Sequence, residues 1–352
     1  MTGAGVDTFE LAPGYVMSRV LRGGWQLAGG HGEVERERAV DDMAAFLDAG
    51  VTTFDCADIY TGVEEMIGLF RERLRRERGE AALAGLKVHT KYVPDWSTLG
   101  SLRRADVEAI IDRSLRRLGA ERLDLVQFHW WNYAAPGMAE TAGVLVDLQQ
   151  AGKIHLLGGT NFDRARTADL LDAGYPLASM QVQYSLLDAR PENGLAALAA
   201  ERGFSLIAYG SLAGGFLSSR WLGRPEPTGP FENRGHTKYK LIIDDFGGWE
   251  LFQDLLGVLD RIAGRHGVGI PAVATRYVLE KPQVAGVIVG ARYADRLGET
   301  LEAFRFALDA EDHAAIAAVL ARRTGPGGDT FALERDRNGK HGRIMKYELN
   351  KD

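Results

Sequence analysis

Only one cysteine, Cys56, stands among 352 residues, so the chain can form no internal disulfide and a reducing compartment is expected. Long apolar runs are missing too: none approaches the roughly 18 residues of a membrane-spanning helix. The N-terminus, MTGAGVDTFELAPGY, lacks the basic-then-apolar order of a secretion signal. A cytoplasmic protein with no membrane partner is therefore expected. Charge of one sign is also lacking, because 42 Lys and Arg are interleaved with 48 Asp and Glu for a formal net charge of -6. No basic stripe marks a nucleic-acid partner. What is present, 45% hydrophobic and 26% charged residues, is ordinary globular composition at a length that buries a sizeable core around a pocket.

Short apolar runs alternate with amphipathic stretches, and eight such runs end near Trp25, Asp55, Lys91, His129, Thr160, Tyr184, Tyr209 and Gly290. In the unit ERLDLVQFHWW followed by GMAETAGVLVDLQQAGK, Val144, Leu145 and Leu148 share one helical face, and Gly152 stands where a helix C-terminus needs a left-handed residue. Strand then helix, repeated eight times without a dividing linker, predicts a single-domain (β/α)8 TIM barrel over residues 17–322, after an N-terminal segment 1–16 and before a C-terminal extension 323–352. Two segments break the rhythm. Residues 218–248, rich in Pro and Gly, read as a long loop after strand 7 and a candidate lid. The charged tail reads as a solvated extension or subunit contact, with Phe331 and Leu333 as residues that would dock it on the barrel.

Chemistry in such a barrel gathers where the strands end. Asp55 ends the second strand, Lys91 the third and His129 the fourth, and Tyr60 lies on the adjoining loop of TFDCADIYTGVEEMIG. An ammonium stabilises a phenolate and a carboxylate holds the ammonium, so Tyr60 is the expected acid, Lys91 its tuner and Asp55 the anchor. His129 is expected to donate to the same carbonyl oxygen. Asp58 reads as a turn buttress, and Cys56 and His89 as buried structural groups. None of the four active groups supplies a hydride, so reduction needs a cofactor.

FDCADIY, HTK and RSLRRLGAERLDLVQFHW resemble, in order, the motifs of the aldo-keto reductase family, and the likeness runs over residues 21–304. The resemblance implies that Asp55, Tyr60, Lys91 and His129 are a catalytic tetrad and that NADPH/NADP+ lies across the barrel mouth. The chain accordingly shows no GxGxxG opening a helix after an early strand. By the same likeness Thr160, Asn161 and Gln181 would hold the carboxamide, with Trp25 and Asp55 alongside, and Tyr209 would stack on the nicotinamide. Gly210, Ser211, Leu212 and Gly214 would wrap the pyrophosphate. Gly290, Ala291, Arg292 and Arg296 would meet the 2′-phosphate, Glu299 and Thr300 the adenine. Three departures stand out: a short loop after Tyr60, Gly290 where many members carry Lys, and Gly210 where Ser is frequent.

Trp130 and Trp131, directly after His129, and Trp25 on the first strand suggest a bulky or aromatic carbonyl substrate against Tyr60 and His129. Self-association is compatible with this reading. Three rivals remain: a cofactor-bound accessory subunit with little turnover, a zinc hydrolase barrel, and a purely structural barrel. The zinc reading lacks the HxH pair it would want, and no metal is expected.

Overall fold

A computed structural model describes residues 5–30 and 32–350, so the outermost residues of both expected terminal segments lie outside it. The chain opens with an antiparallel hairpin, β1 (Thr8–Ala12) and β2 (Tyr15–Ser18), turned at Gly14 with φ +74°. Eight parallel strands follow: β3 (Val20–Gly23), β4 (Thr53–Asp55), β5 (Lys87–Tyr92), β6 (Leu123–Phe128), β7 (Ile154–Thr160), β8 (Leu177–Gln183), β9 (Ser205–Tyr209) and β10 (Val284–Gly290). They close in the order β10-β3-β4-β5-β6-β7-β8-β9. Between and after them run α1 (Arg36–Asp48), α2 (Val63–Gly85), α3 (Arg104–Leu118), α4 (Met138–Gln150), α5 (Arg164–Asp172), α6 (Leu195–Arg202), α7 (Arg234–Phe246), α8 (Gly248–His266), α9 (Ile270–Leu279), α10 (Leu297–Leu301), α11 (Ala310–Leu320) and α12 (Ala332–Arg335). The predicted (β/α)8 barrel is the observed fold.

Local chemistry explains the elements. In α4 the buried residues Thr141, Ala142, Leu145 and Leu148 follow helical spacing, and Gly152 with φ +82° closes the chain after the last turn, its N–H donating to the Gln149 carbonyl at 2.9 Å. The short β4 is buried at all three positions because it is paired on both sides and covered by helices. At the N-terminal end of the barrel, Leu11, Tyr15 and Met17 of the hairpin pack on Leu21, Leu125, Ile207 and Ala285 inside the barrel. The Tyr15 hydroxyl lies 3.1 Å from His89 Nε2, so among the described residues the hairpin plugs that end, while a cavity opens at the opposite one. His89 is thus a structural residue, as expected.

Two expectations need correction. Residues 218–248 are not one long loop, because α7 begins at Arg234. Asn233 caps it by accepting from the His236 N–H at 2.9 Å, and Ile242, Ile243 and Phe246 are buried on one face. Nor is the tail a wholly solvated extension: it docks on the barrel, as the reading of Phe331 allowed. Phe331 is buried against His129 and Trp131, Leu333 is half-buried, and Glu334 forms a buried ion pair with Arg190, at 2.8 and 2.9 Å to its two nitrogens. Arg190 in turn binds Asp188, so the tail is clamped to the loop after β8.

Candidate active site

The barrel alternation that points every second side chain inward stacks His89 and Lys91 on β5 and Gln127 on β6, with Asp55 across from them at the end of β4. Lys91 Nζ donates to Asp55 Oδ2 at 2.8 Å and to the Cys56 carbonyl at 2.8 Å, with both charged side chains nearly inaccessible. Asp55 Oδ1 accepts from the amides of Gln181 at 2.6 Å and Gln127 at 3.2 Å, so the carboxylate is fully engaged. Burial favours the neutral amine at Lys91, but the Asp55 carboxylate beside it outweighs that and holds the ammonium charged, its pKa above the ordinary lysine value. The Tyr60 ring lies 5.0 Å from Lys91 Nζ and 5.0 Å from the Trp25 ring.

Burial pushes the Tyr60 phenol above its ordinary pKa, with Lys91 pulling it down and Asp55 pushing it up. The expectation of a lowered pKa is therefore corrected: in this geometry desolvation wins over the ammonium, and the phenol keeps its proton at neutral pH. His129 also departs from expectation. Its Nδ1 lies 2.9 Å from the Thr160 carbonyl, which can only accept, so Nδ1 carries the hydrogen. Burial, helped by the Arg335 cation, lowers the ring pKa to about 3. A neutral ring with Nδ1–H presents a lone pair at Nε2, which has no partner among the described residues. His129 is thus an acceptor, not the donor the sequence suggests.

These groups open into one cavity of about 690 Å³. Every residue expected to hold the cofactor lines it except Ala291, which is half-buried against the core beside Gly290. Of the expected substrate residues Trp25, Tyr60, His129 and Trp131 line it, and Trp130 does not. After β6, Trp131 meets the His129 ring edge-on at 4.4 Å, while Trp130 is buried against Phe128 at 6.0 Å. The Tyr209 hydroxyl donates to Asn161 Oδ1 at 2.9 Å. Gln181 spends its amide hydrogens on Asp55 and Gln127, which leaves its carbonyl oxygen for a ligand.

An extended dinucleotide fits the donor set. Three polar atoms without partners among the described residues, His129 Nε2, Ser211 Oγ and Gln26 Oε1, belong to residues lining this one cavity. Gln26 was missed by the sequence reading: a Cβ on Gly290 would lie 1.9 Å from its Nε2, so its amide fills the space beside Gly290. Gln127 was missed as well, although a glutamine inside the apolar run LDLVQF is itself a signal. The tail residues Phe331, Ile344, Met345, Lys346 and Leu349 form a further wall that periodicity gives no hint of.

Asp58 is a buttress, as expected. Its Oδ2 accepts from the Val93 N–H at 3.2 Å, while Oδ1 has no partner among the described residues. Burial, with Glu64 adding repulsion, raises its pKa to about 8. A raised carboxyl pKa stabilises the fold fully below the unfolded value near 4, and that contribution is lost as pH climbs through about 8. Asp58→Asn is accordingly expected to flatten the fall of the melting temperature between about pH 4 and 8. An unchanged slope in thermal melts across that range would contradict the assignment.

The family model described as the aldo/keto reductase family matches residues 19–321. Flagellar radial spoke protein 5 of Chlamydomonas reinhardtii is 29% identical over 64% of this chain, which spans about half, 49%, of that protein's length. The NADH-specific methylglyoxal reductase of Escherichia coli strain K12 is 26% identical over 84% of this chain and 92% of its own. Among solved structures, the glycerol dehydrogenase AKR11B4 from Gluconobacter oxydans superposes with a TM-score of 0.75 at 26% identity, covering 94% of this chain and 99% of that one. With an eight-stranded parallel barrel, an open mouth built from strand ends and a family match over most of its length, this chain belongs to the aldo/keto reductase family, whose members carry out carbonyl and alcohol oxidoreduction with nicotinamide cofactors.

Proposed function

We propose that the protein reduces an aldehyde or ketone to an alcohol, reversibly, with NADPH as its cofactor and Tyr60 as the proton donor. The observation that carries this reading is the buried Lys91 and Asp55 pair placed under the Tyr60 ring at the floor of the cavity. NADPH, when bound, supplies the hydride. Tyr60, protonated at neutral pH, gives its hydrogen to the carbonyl oxygen as negative charge develops there. Lys91 then stabilises the phenolate left behind, and Asp55, fixed by Gln127 and Gln181, keeps Lys91 in place and charged. His129 Nε2 orients the substrate by accepting, which suits a hydroxyl carried next to the carbonyl. Trp25 and Trp131 supply apolar walls.

Thr160, Asn161 and the Gln181 carbonyl would meet the carboxamide, Tyr209 the ring, and residues 210–214, with the Ser211 hydroxyl, the pyrophosphate. At the outer end Arg292 and Arg296 offer paired donors to a 2′-phosphate, with Glu299 and Thr300 near the adenine. The single buried thiol suits a reducing compartment, and we place the reaction in the cytoplasm. Arg292→Ala is expected to raise Kd for NADPH at least tenfold while changing Kd for NADH by less than threefold, since charge-assisted bonds to phosphate contribute about 1.5–3 kcal/mol. Parallel fluorescence titrations with the two cofactors test this, and equal losses would remove Arg292 from the phosphate site.

A further inference from the structure

Arg335, the last residue of α12, comes from the tail yet reaches into the backbone of two strand-end loops. Its Nη1 donates to the carbonyls of Trp130 and Trp131, the latter at 2.7 Å, and its Nη2 donates to the Asn161 carbonyl at 2.8 Å. The guanidinium lies 3.8 Å from the Tyr133 ring centroid. Glu334, its neighbour, is locked to Arg190 in the buried ion pair described above, so the fork is held in place from behind. These bonds join the segment after β6, which carries His129 and the Trp131 wall, to the segment after β7, which carries Asn161.

Asn161, at the other end of this bridge, has φ +62°, a left-handed conformation that asparagine adopts more readily than other residues with a side chain. That conformation lets one residue serve three partners at once. Its N–H donates to the Gln181 carbonyl at 2.9 Å, its side chain accepts from the Tyr209 hydroxyl at 2.9 Å, and its carbonyl accepts from Arg335. At the Trp131 end, holding the backbone sets the indole edge against the His129 ring, which Phe331 closes from the tail side at 5.7 Å. A planar fork with donors in fixed directions makes such a bridge, and a single ammonium does not.

We propose that Arg335 is a positioning residue: it reaches from the C-terminal tail to hold the His129 and Asn161 loops in one register, so that the proton-transfer and nicotinamide-binding halves of the site act together. The inference rests on the reading of this mouth as a cofactor and carbonyl site. Its test uses the full chain with Arg335→Ala and Arg335→Lys, each followed by thermal melting, by NADPH titration of intrinsic fluorescence, and by steady-state reduction of an aldehyde.

Both variants are expected to lose on the order of 100-fold in kcat/KM, the usual cost of a misplacement near 1 Å. The Lys variant is expected to melt within a few degrees of the parent, and NADPH binding to weaken about tenfold in both. Guanidinium chloride at low millimolar concentration, too dilute to denature, is expected to restore at least tenfold of the Ala variant's kcat/KM and to do nothing for the parent. Parent-like kcat/KM in Arg335→Lys would overturn the proposal, because charge alone would then suffice. Activity lost only in step with melting temperature, with no rescue, would overturn it too and leave a structural residue. If the parent binds NADPH but turns over no aldehyde, the functional reading fails while the titrations still decide Arg335: unchanged NADPH affinity in both variants would sink it.

Discussion

Tyr60→Phe is expected to lower kcat by about a thousandfold while leaving NADPH affinity within about twofold of the parent. The phenol lies against Lys91 and Trp25 at the cavity floor, and its ring can be kept without its hydroxyl, so packing survives the substitution. General acid catalysis contributes about 10²–10⁴ in rate, and a group that acts chiefly in the transition state shows its loss in kcat more than in ground-state binding. Burial keeps Tyr60 protonated at neutral pH, so the acid is ready before substrate arrives. Steady-state kinetics beside a cofactor titration reads both quantities. Unimpaired kcat in the variant would mean that the proton comes from elsewhere.

The second large effect concerns stability and activity together. Lys91→Met removes the cation from a pair in which both side chains are almost wholly buried, leaving Asp55 with two amide donors and no counter-charge. Breaking a buried pair from one side costs about 3–5 kcal/mol, because an uncompensated charge remains in low dielectric. Asp55→Asn strands the ammonium in the same way. The double variant Asp55→Asn with Lys91→Met removes both charges, and it is expected to recover at least half of that stability while recovering none of the activity, since neither tuner nor anchor returns. Denaturant midpoints of the four proteins test the first part and kcat the second. Single variants within about 1 kcal/mol of the parent would show that the pair is not the charge-balanced element described here.

The barrel was legible because its signals are local. Eight apolar runs ending in turns, each followed by a helical stripe, report strand and helix periods directly, and the ionisable ends of β4, β5 and β6 stand out against apolar neighbours. Placement of Asp55, Tyr60, Lys91 and His129 around one cavity followed from the rule that strand ends converge. The behaviour of those groups did not. The phenol pKa depends on how deeply the site is desolvated, and the His129 tautomer on a carbonyl 31 residues away, neither of which a sequence motif encodes. Trp130, next to His129 in sequence, packs on Phe128 instead of lining the cavity, a placement that adjacency in sequence does not reveal.

Long-range docking was the other blind spot. Gly and Pro density masked the Asn233 cap and the Ile242, Ile243, Phe246 stripe of α7. The tail carries many charges, which ordinarily mean solvent, but Glu334 and Arg335 are spent on Arg190 and on main-chain carbonyls far away in the chain. Their role is visible only once the fold brings those partners together. One consequence is that part of the cavity wall belongs to a segment beyond the last barrel helix, so the shape of the cavity is set partly by the tail.

The most direct test of carbonyl reduction is the consumption of NADPH by the purified parent, followed by loss of reduced-nicotinamide absorbance, with a panel of hydroxylated, aromatic and aliphatic aldehydes. Consumption matched mole for mole by alcohol is the predicted result. Tight NADPH binding with no consumption on any member of the panel would contradict it, and would favour a cofactor-bound protein that does not turn over.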